Sequence, residues 1–94
     1  MAAAYDTYDY PSYWIGREYE NESDMTAIRA FVDKIPQITT AVEIGAGFGR
    51  LVPSFLYRSK KIILIDPSAR LLKLARKNFK DKRIGFIHVG IENI

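Results

Sequence analysis

The chain has 94 residues and a mass of 10.8 kDa, and 48% of its residues are hydrophobic while 27% are charged. This composition is typical of one small globular domain and excludes a multidomain enzyme or a generally disordered chain. The lack of cysteine excludes disulfides, thiolate metal sites and a cysteine nucleophile. Neither a secretory leader nor an apolar run long enough to span a bilayer is present, so we expect a cytoplasmic protein with no membrane contact.

Charge is unevenly distributed along the chain. Residues 1–24 have a net charge of −5 and residues 25–94 a net charge of +8, which together give the formal charge of +3. In residues 68–83, seven bases accompany the single acid Asp81. Four of them, Arg70, Lys73, Lys77 and Lys80, recur at three- and four-residue spacing opposite apolar residues, which predicts the solvated face of an amphipathic helix. Nucleic-acid binding or another interaction through this basic segment, 70–83, is the alternative that we keep open.

The first third of the chain divides into a strap and a helix. Residues 1–22 are rich in tyrosine and lack a sustained period, which predicts an irregular N-terminal strap. From Ser23 onward, apolar residues recur at helical spacing until Pro36, so we predict one helix there and place the start of the main domain, 23–94, at its first residue.

Three short apolar runs then alternate with two further helical segments. The predicted strands are 40–44, 61–65 and 84–89; the predicted helices are 50–58 and the segment from Ser68, a plausible N-cap, to Phe79. Continuous apolar strands that alternate with amphipathic helices are typical of a parallel α/β sheet covered on both faces. Right-handed crossovers place its strands in the order 3-2-1.

A glycine-rich turn follows the first predicted strand. Gly45, Gly47 and Gly49 lie where a parallel sheet binds ligands, at the carboxyl end of a strand and before a helical segment. Asp66 ends the second strand, about 20 residues beyond the first glycine, where a carboxylate can accept hydrogen bonds from both hydroxyls of a ribose. Together, the turn and the carboxylate predict a ligand that contains adenosine.

The charged residues around the glycine turn distinguish between the possible ligands that contain adenosine. A dinucleotide fingerprint requires a glycine at the position that Arg50 occupies, and Glu43 lies two residues before the first glycine. A carboxylate at that position disfavours a pyrophosphate but suits an ammonium or sulfonium group. S-adenosylmethionine is therefore favoured, and an NAD-linked oxidoreductase fragment is the second alternative.

The segment Glu43-x-Gly45-x-Gly47-x-Gly49 resembles motif I of the class I, seven-strand methyltransferases that use S-adenosylmethionine. Residues 63–76 are similar to the second strand and following helix of that family, in particular of its small-molecule branch with the quinone-biosynthesis enzymes. The resemblance implies a three-layer, Rossmann-like fold and an S-adenosylmethionine cofactor. It also implies the site residues: Glu43 for the ammonium group, Gly45, Ala46 and Gly47 around the methionine part, and Asp66 at the ribose. Gly49 and Pro67 complete the expected cofactor-binding set.

The chain departs from the family pattern at its end. The acid expected after the third strand is replaced by Gly90 or Ile91, with Glu92 one position late, so adenine contacts cannot be assigned. The sequence stops after that strand, which predicts the N-terminal cofactor-binding half alone, truncated before the acceptor pocket and inactive by itself. No catalytic residue and no metal ligand are assigned, and the acceptor is expected to be a small molecule.

We further expect self-association through the open edge of the first strand, which has no fourth strand beside it.

Two other groups have weaker functional signals. The aromatic residues Tyr13, Trp14 and Tyr19 form either a packed strap or a lid over the methyl donor, where a sulfonium would gain cation–π attraction. His88 has no second metal-ligating residue near it in the sequence, so we predict a core or strand-end histidine.

Overall fold

The computed structural model describes residues 10–90. In chain order the elements are the helices α1 (Tyr10–Tyr13) and α2 (Glu18–Val32), the strands β1 (Ile38–Ile44) and β2 (Ser59–Asp66), the helix α3 (Ala69–Asn78) and the strand β3 (Ile84–His88). The strands form one parallel sheet in the order β1-β2-β3, so the predicted α/β class and strand order are confirmed.

The central strand β2 forms the middle of the core. Its Ile62 and Leu64 are fully buried, and residues of α3, β3 and the segment after β1 pack around them. Helix α3 begins as predicted, because the Ser68 hydroxyl accepts a hydrogen bond from the Leu71 N–H over 3.1 Å. The helix buries Leu71, Leu72 and Ala75 and exposes Arg70, Lys73 and Lys77, as the amphipathic pattern predicts.

The predicted helix at 50–58 is wrong. Two short 3-10 turns, Val52–Ser54 and Leu56–Arg58, occupy this segment instead. Pro53 lies within the first turn, and the Ser54 hydroxyl donates to the Leu51 carbonyl over 2.5 Å. The Ser59 hydroxyl donates to the Phe55 carbonyl in the same way, over 2.7 Å. Because the Phe55 N–H bonds to Val52 rather than to Leu51, the chain tightens into 3-10 geometry and an α-helix does not form.

The helix predicted from Ser23 begins earlier, at Glu18, and therefore crosses the boundary placed at residue 22. Glu18 and Glu20 lie in its first turn, where negative charge favours the positive end of the helix dipole. Of the predicted strap, residues 1–9 lie outside the described part of the chain, while residues 10–17 form α1 and a turn that ends at Gly16.

One edge of the sheet is open within residues 10–90. Strand β1 pairs with β2 along one side only, and its Val42 and Ile44 are 54% and 53% exposed. Between α2 and β1 lies an open groove of about 370 Å³. The apolar side chains that line it include Ile28, Val32, Ile35, Ala41, Leu51 and Phe55. No helix in the described range is long and apolar enough to cross a membrane.

We propose that the 94-residue chain self-associates through β1, because unpaired strand groups and exposed apolar side chains at one edge favour pairing with another strand. Light scattering over a dilution series should show a mass above that of the monomer. Val42→Lys, which places a charge on the edge strand, should return the chain to the monomer. A wild-type chain that is monomeric at every concentration, with rapidly exchanging Thr40–Ile44 amides, would contradict this proposal.

Candidate functional site

The glycine turn follows β1 directly and bends back over the end of β2. The N–H groups of Gly45 and Ala46 both donate to the Ile65 carbonyl, over 2.8 and 3.1 Å. Gly45, Gly47 and Gly49 all have positive φ angles, of 75°, 58° and 85°. Residues other than glycine rarely adopt this backbone conformation. The turn therefore depends on glycine at each of these positions.

The glycines differ in what surrounds them. A Cβ atom at Gly45 would have no atom within 4 Å, whereas one at Gly49 would lie 2.7 Å from Cε2 of Phe79. At Gly47 the nearest atom would be Cδ1 of Leu71, at 3.8 Å. Gly45 therefore leaves open space for a ligand, and Gly49 permits close packing against the end of α3. Ala46, between them, is buried in the core.

Asp66 connects the glycine turn to the start of α3. It is only 5% exposed, and each carboxylate oxygen accepts a backbone hydrogen bond of 2.8 Å, Oδ2 from Gly47 and Oδ1 from Ser68. A carboxylate has about four acceptor positions, so about two remain for the hydroxyls of a ligand. Sequence reasoning placed Asp66 beside the turn but missed this bridge. The Asp-x-Ser spacing, which favours an Asx turn, could have revealed the bond to Ser68.

The next residue, Pro67, joins this corner to β3. Nε2 of His88 lies 2.8 Å from the Pro67 carbonyl oxygen, and because a carbonyl only accepts, Nε2 is the protonated nitrogen. His88 is exposed at the end of β3, which confirms a strand-end histidine. Beyond β3, the Val89 N–H donates to the Asp66 carbonyl over 3.2 Å. Glu92, the late acid of the sequence pattern, lies outside the described residues.

Glu43 is a partly buried carboxyl group with an unsatisfied atom. Its Oε1 is buried and has no hydrogen-bond partner among residues 10–90. Burial raises the pKa of Glu43 to about 7, while the positive charge of Arg50 lowers it and the negative charge of Asp66 raises it further. Such a group is suited to accept a hydrogen bond from a cationic ligand, which would satisfy Oε1 and favour the ionised form.

Arg50, directly after the last glycine, attaches the turn to the N-terminal elements. Its guanidinium carbon lies 3.8 Å from the centre of the Trp14 ring, and Nη1 donates to Asn21 over 2.7 Å and to Asp24 over 3.2 Å. In the sequence analysis, Arg50 is notable only as the residue that replaces the third glycine of a dinucleotide fingerprint. Its stacking on a residue far away in the chain has no signal in the sequence.

The three N-terminal aromatics are placed differently. Tyr13 meets Trp14 edge to face, with ring centres 5.3 Å apart, and Trp14 contacts Arg50 beside the glycine turn. Tyr19 is 88% exposed and points into solvent. Trp14 is thus the aromatic that the structure brings to the site. Among residues 10–90, no group of three or more acidic or histidine side chains is arranged to hold a metal ion.

Neither protein-family models nor curated proteins match this sequence. Solved structures do. An S-adenosylmethionine-dependent methyltransferase from Leishmania major is 20% identical with a TM-score of 0.68, over 80% of this chain and 32% of that one. An S-adenosylmethionine-dependent methyltransferase from Mesorhizobium loti is 21% identical with a TM-score of 0.61, over 73% of this chain and 32% of that one.

A third similar structure, described as a putative S-adenosylmethionine-dependent methyltransferase, comes from Listeria monocytogenes. It is 23% identical with a TM-score of 0.56, over 76% of this chain and 34% of that one. The chain therefore spans about a third of the length of these proteins. Over its parallel β1-β2-β3 sheet and flanking helices, this chain therefore has the Rossmann-like fold of the matching third of these methyltransferase structures.

Proposed function

We propose that this chain is the S-adenosylmethionine-binding part of a methyltransferase that acts on a small molecule in the cytoplasm. The observation that supports this most strongly is the contact of 2.8 Å between the Gly47 N–H and the Asp66 carboxylate. This contact holds the glycine turn and the acid at the end of β2 in one corner of the sheet, and these are the two features that we expect of an adenosine site.

The residues of this corner suit the parts of the cofactor. Asp66 has acceptor positions left for ribose hydroxyls, and Gly45 leaves space for the ligand to approach the backbone. Glu43 offers a buried oxygen without a partner to a cationic group. A pyrophosphate gains nothing from the carboxylate of Glu43, which favours S-adenosylmethionine over NAD.

The chemistry itself comes from the cofactor, whose sulfonium supplies an activated methyl group when bound. In this proposal the chain's own residues position the donor, because alignment of donor and acceptor provides much of the rate of such a displacement. Asp66 holds the ribose, while the glycine turn and Glu43 hold and orient the amino-acid end. No general base is assigned to any residue.

The test is Asp66→Ala measured by calorimetry with S-adenosylhomocysteine. Loss of charge-assisted hydrogen bonds of about 1.5–3 kcal/mol predicts a roughly ten- to hundredfold weaker affinity. Asp81→Ala is the matched control, because Asp81 pairs with Arg83 in the turn before β3 and has no contact with the glycine turn.

A second ligand separates ribose recognition from damage to the turn. Asp66→Ala should weaken the binding of adenosine more than the binding of 2′,3′-dideoxyadenosine. The second ligand lacks the ribose hydroxyls from which Asp66 would accept hydrogen bonds. Unchanged affinity for S-adenosylhomocysteine in a folded Asp66→Ala chain would refute the ribose role.

A further inference from the structure

Lysine and arginine side chains dominate the surface of the second half of the described chain. Residues 59–90 contain nine of these bases and two acids, Asp66 and Asp81. The acids offset little of the charge, because Asp66 is buried at the end of β2 and Asp81 is paired with Arg83 over 2.7 Å. The exposed lysines of this segment are Lys60, Lys61, Lys73, Lys77, Lys80 and Lys82. None of the six forms an ion pair with another of residues 10–90.

The α3 crossover brings bases that are separate in the sequence to one side of the sheet. Helix α3 connects the end of β2 to the start of β3, so its bases run from the glycine turn toward the amino ends of the strands. The Arg83 guanidinium donates to the Leu56 and Ser59 carbonyls over 3.2 and 2.9 Å, which holds the turn before β3 against the start of β2. Lys60 alternates with the buried Ile62, so it lies on the face of the sheet that α3 covers.

The exposed side of α3 carries the longest row of bases. Arg70, Lys73 and Lys77 follow one another at three- and four-residue spacing, and Lys80 continues the row beyond the helix. At about 1.5 Å per residue, Arg70 to Lys77 spans roughly 10 Å, about three phosphates along one strand of a duplex. Helical spacing alone predicts only a solvated face, and it gives no sign of the lysine that β2 adds. We name five of these lysines the basic surface: Lys60, Lys73, Lys77, Lys80 and Lys82.

Within residues 59–90, apolar and aromatic side chains are turned away from the basic surface. Helix α3 buries Leu71 and Leu72 in the core. The one exposed large hydrophobic side chain of this segment is Ile87, which lies on the opposite face of the sheet because it alternates with the core residue Phe86. The Phe86 ring is covered by the guanidinium of Arg76, at 5.0 Å.

These features favour phosphate groups in a duplex over other anionic partners. An interfacial membrane helix needs apolar side chains beside its bases, and a protein interface needs large anchors at its centre. Proteins that hold single-stranded nucleic acid add aromatic rings on which the bases stack. A row of lysines alone suits a duplex backbone, where neutralised phosphates supply the affinity.

We propose that the basic surface binds the phosphate backbone of double-stranded nucleic acid, without sequence preference and away from the cofactor site. Lys60 precedes Asp66 by six residues along β2, which is roughly 20 Å at about 3.3 Å per residue. Because the basic surface extends away from the glycine turn, it does not compete with a bound cofactor. The proposal therefore does not rest on the proposed function.

The first experiment measures the salt dependence of duplex binding. A DNA duplex and an RNA duplex, each of about 20 base pairs, are titrated at about 50 and about 200 mM salt. About four phosphate contacts predict a slope of log affinity against log salt of about −3.6, and hence a roughly hundredfold loss between the two conditions. Binding of either duplex with this slope supports the proposal and identifies the nucleic acid. Binding of neither overturns it.

The second experiment removes three of the lysines. Combining Lys73→Gln, Lys77→Gln and Lys80→Gln should bring the slope to about −0.9, which leaves only a roughly fourfold salt dependence. The matched control replaces three bases on and around α2 by glutamine, namely Arg17, Arg29 and Lys34. Circular dichroism checks that both variants fold, and the single variant Lys77→Gln, with an expected slope change of about 0.9, serves if the triple variant does not. Equal effects of the two triple variants would show a response to net charge alone and would overturn the proposal.

Further titrations distinguish other partners and the cofactor site. Phosphatidylserine vesicles and single-stranded polyuridylate should bind more weakly than the duplex, and tighter binding of either would overturn the proposal. Saturating S-adenosylhomocysteine should leave the duplex affinity within about twofold, since the sites are separate, and a larger change would contradict that separation. A chain that binds the duplex but not S-adenosylhomocysteine would support the basic surface and contradict the proposed function alone.

Discussion

Glu43→Gln should raise the free energy of unfolding by about 3 kcal/mol at about pH 8. The pKa of Glu43 rises from 4.5 to about 7 because the side chain is buried, and each unit corresponds to about 1.4 kcal/mol. The wild-type chain therefore contains a carboxylate that is costly to ionise in the folded state. Glutamine has nearly the same shape and never ionises, so this cost disappears.

The effect should depend on pH in a defined direction. Because the pKa is higher in the folded state, the native chain binds more protons, and stability falls as the pH rises. At about pH 4 the carboxyl is protonated in both states, and the advantage of the glutamine variant should vanish. Between about pH 5 and 8 the wild-type chain should lose stability that the variant retains.

Urea unfolding of both proteins at several pH values measures this difference. Glu20→Gln is the control, since Glu20 is exposed on α2 and its side chain is 57% accessible. A Glu43→Gln advantage that is the same at low and high pH would contradict a buried, titrating carboxyl group.

Gly49→Ala should lower the free energy of unfolding by about 3 kcal/mol, the sum of a backbone and a packing effect. The φ angle of 85° is strained for alanine, at about 1–2 kcal/mol. The new methyl group would also lie 2.7 Å from the Phe79 ring, and overpacking of this kind costs about 1–3 kcal/mol.

Gly45→Ala is the matched comparison, because its φ of 75° is similar but no atom lies within 4 Å of the new Cβ. Gly45→Ala should lower the free energy of unfolding only by the backbone part, about 1–2 kcal/mol. Combining Gly49→Ala with Phe79→Leu should recover part of the packing loss. Equal destabilisation by the two single alanine variants, measured by denaturant unfolding, would show that Phe79 does not restrict this position.

The parallel sheet was predictable because its signals are local. Each strand is a short apolar run, and Gly45 and Asp66 follow the ends of β1 and β2. Since the carboxyl ends of neighbouring parallel strands meet at one edge, the two residues had to lie close together, and the structure joins them through Gly47.

The segment after the turn was not predictable in the same way. Apolar residues three and four apart suit both an α-helix and successive 3-10 turns, so their spacing does not distinguish the two structures. The burial of Glu43 and the stacking of Trp14 on Arg50 depend on tertiary packing between elements remote in sequence. No spacing rule reports such contacts.

We propose above that this chain binds S-adenosylmethionine. The most direct test of this proposal is calorimetry of the 94-residue chain with S-adenosylhomocysteine and, separately, with NAD. We predict that S-adenosylhomocysteine binds and that NAD binds more weakly or not at all. A folded chain that binds NAD more tightly than S-adenosylhomocysteine would contradict the account.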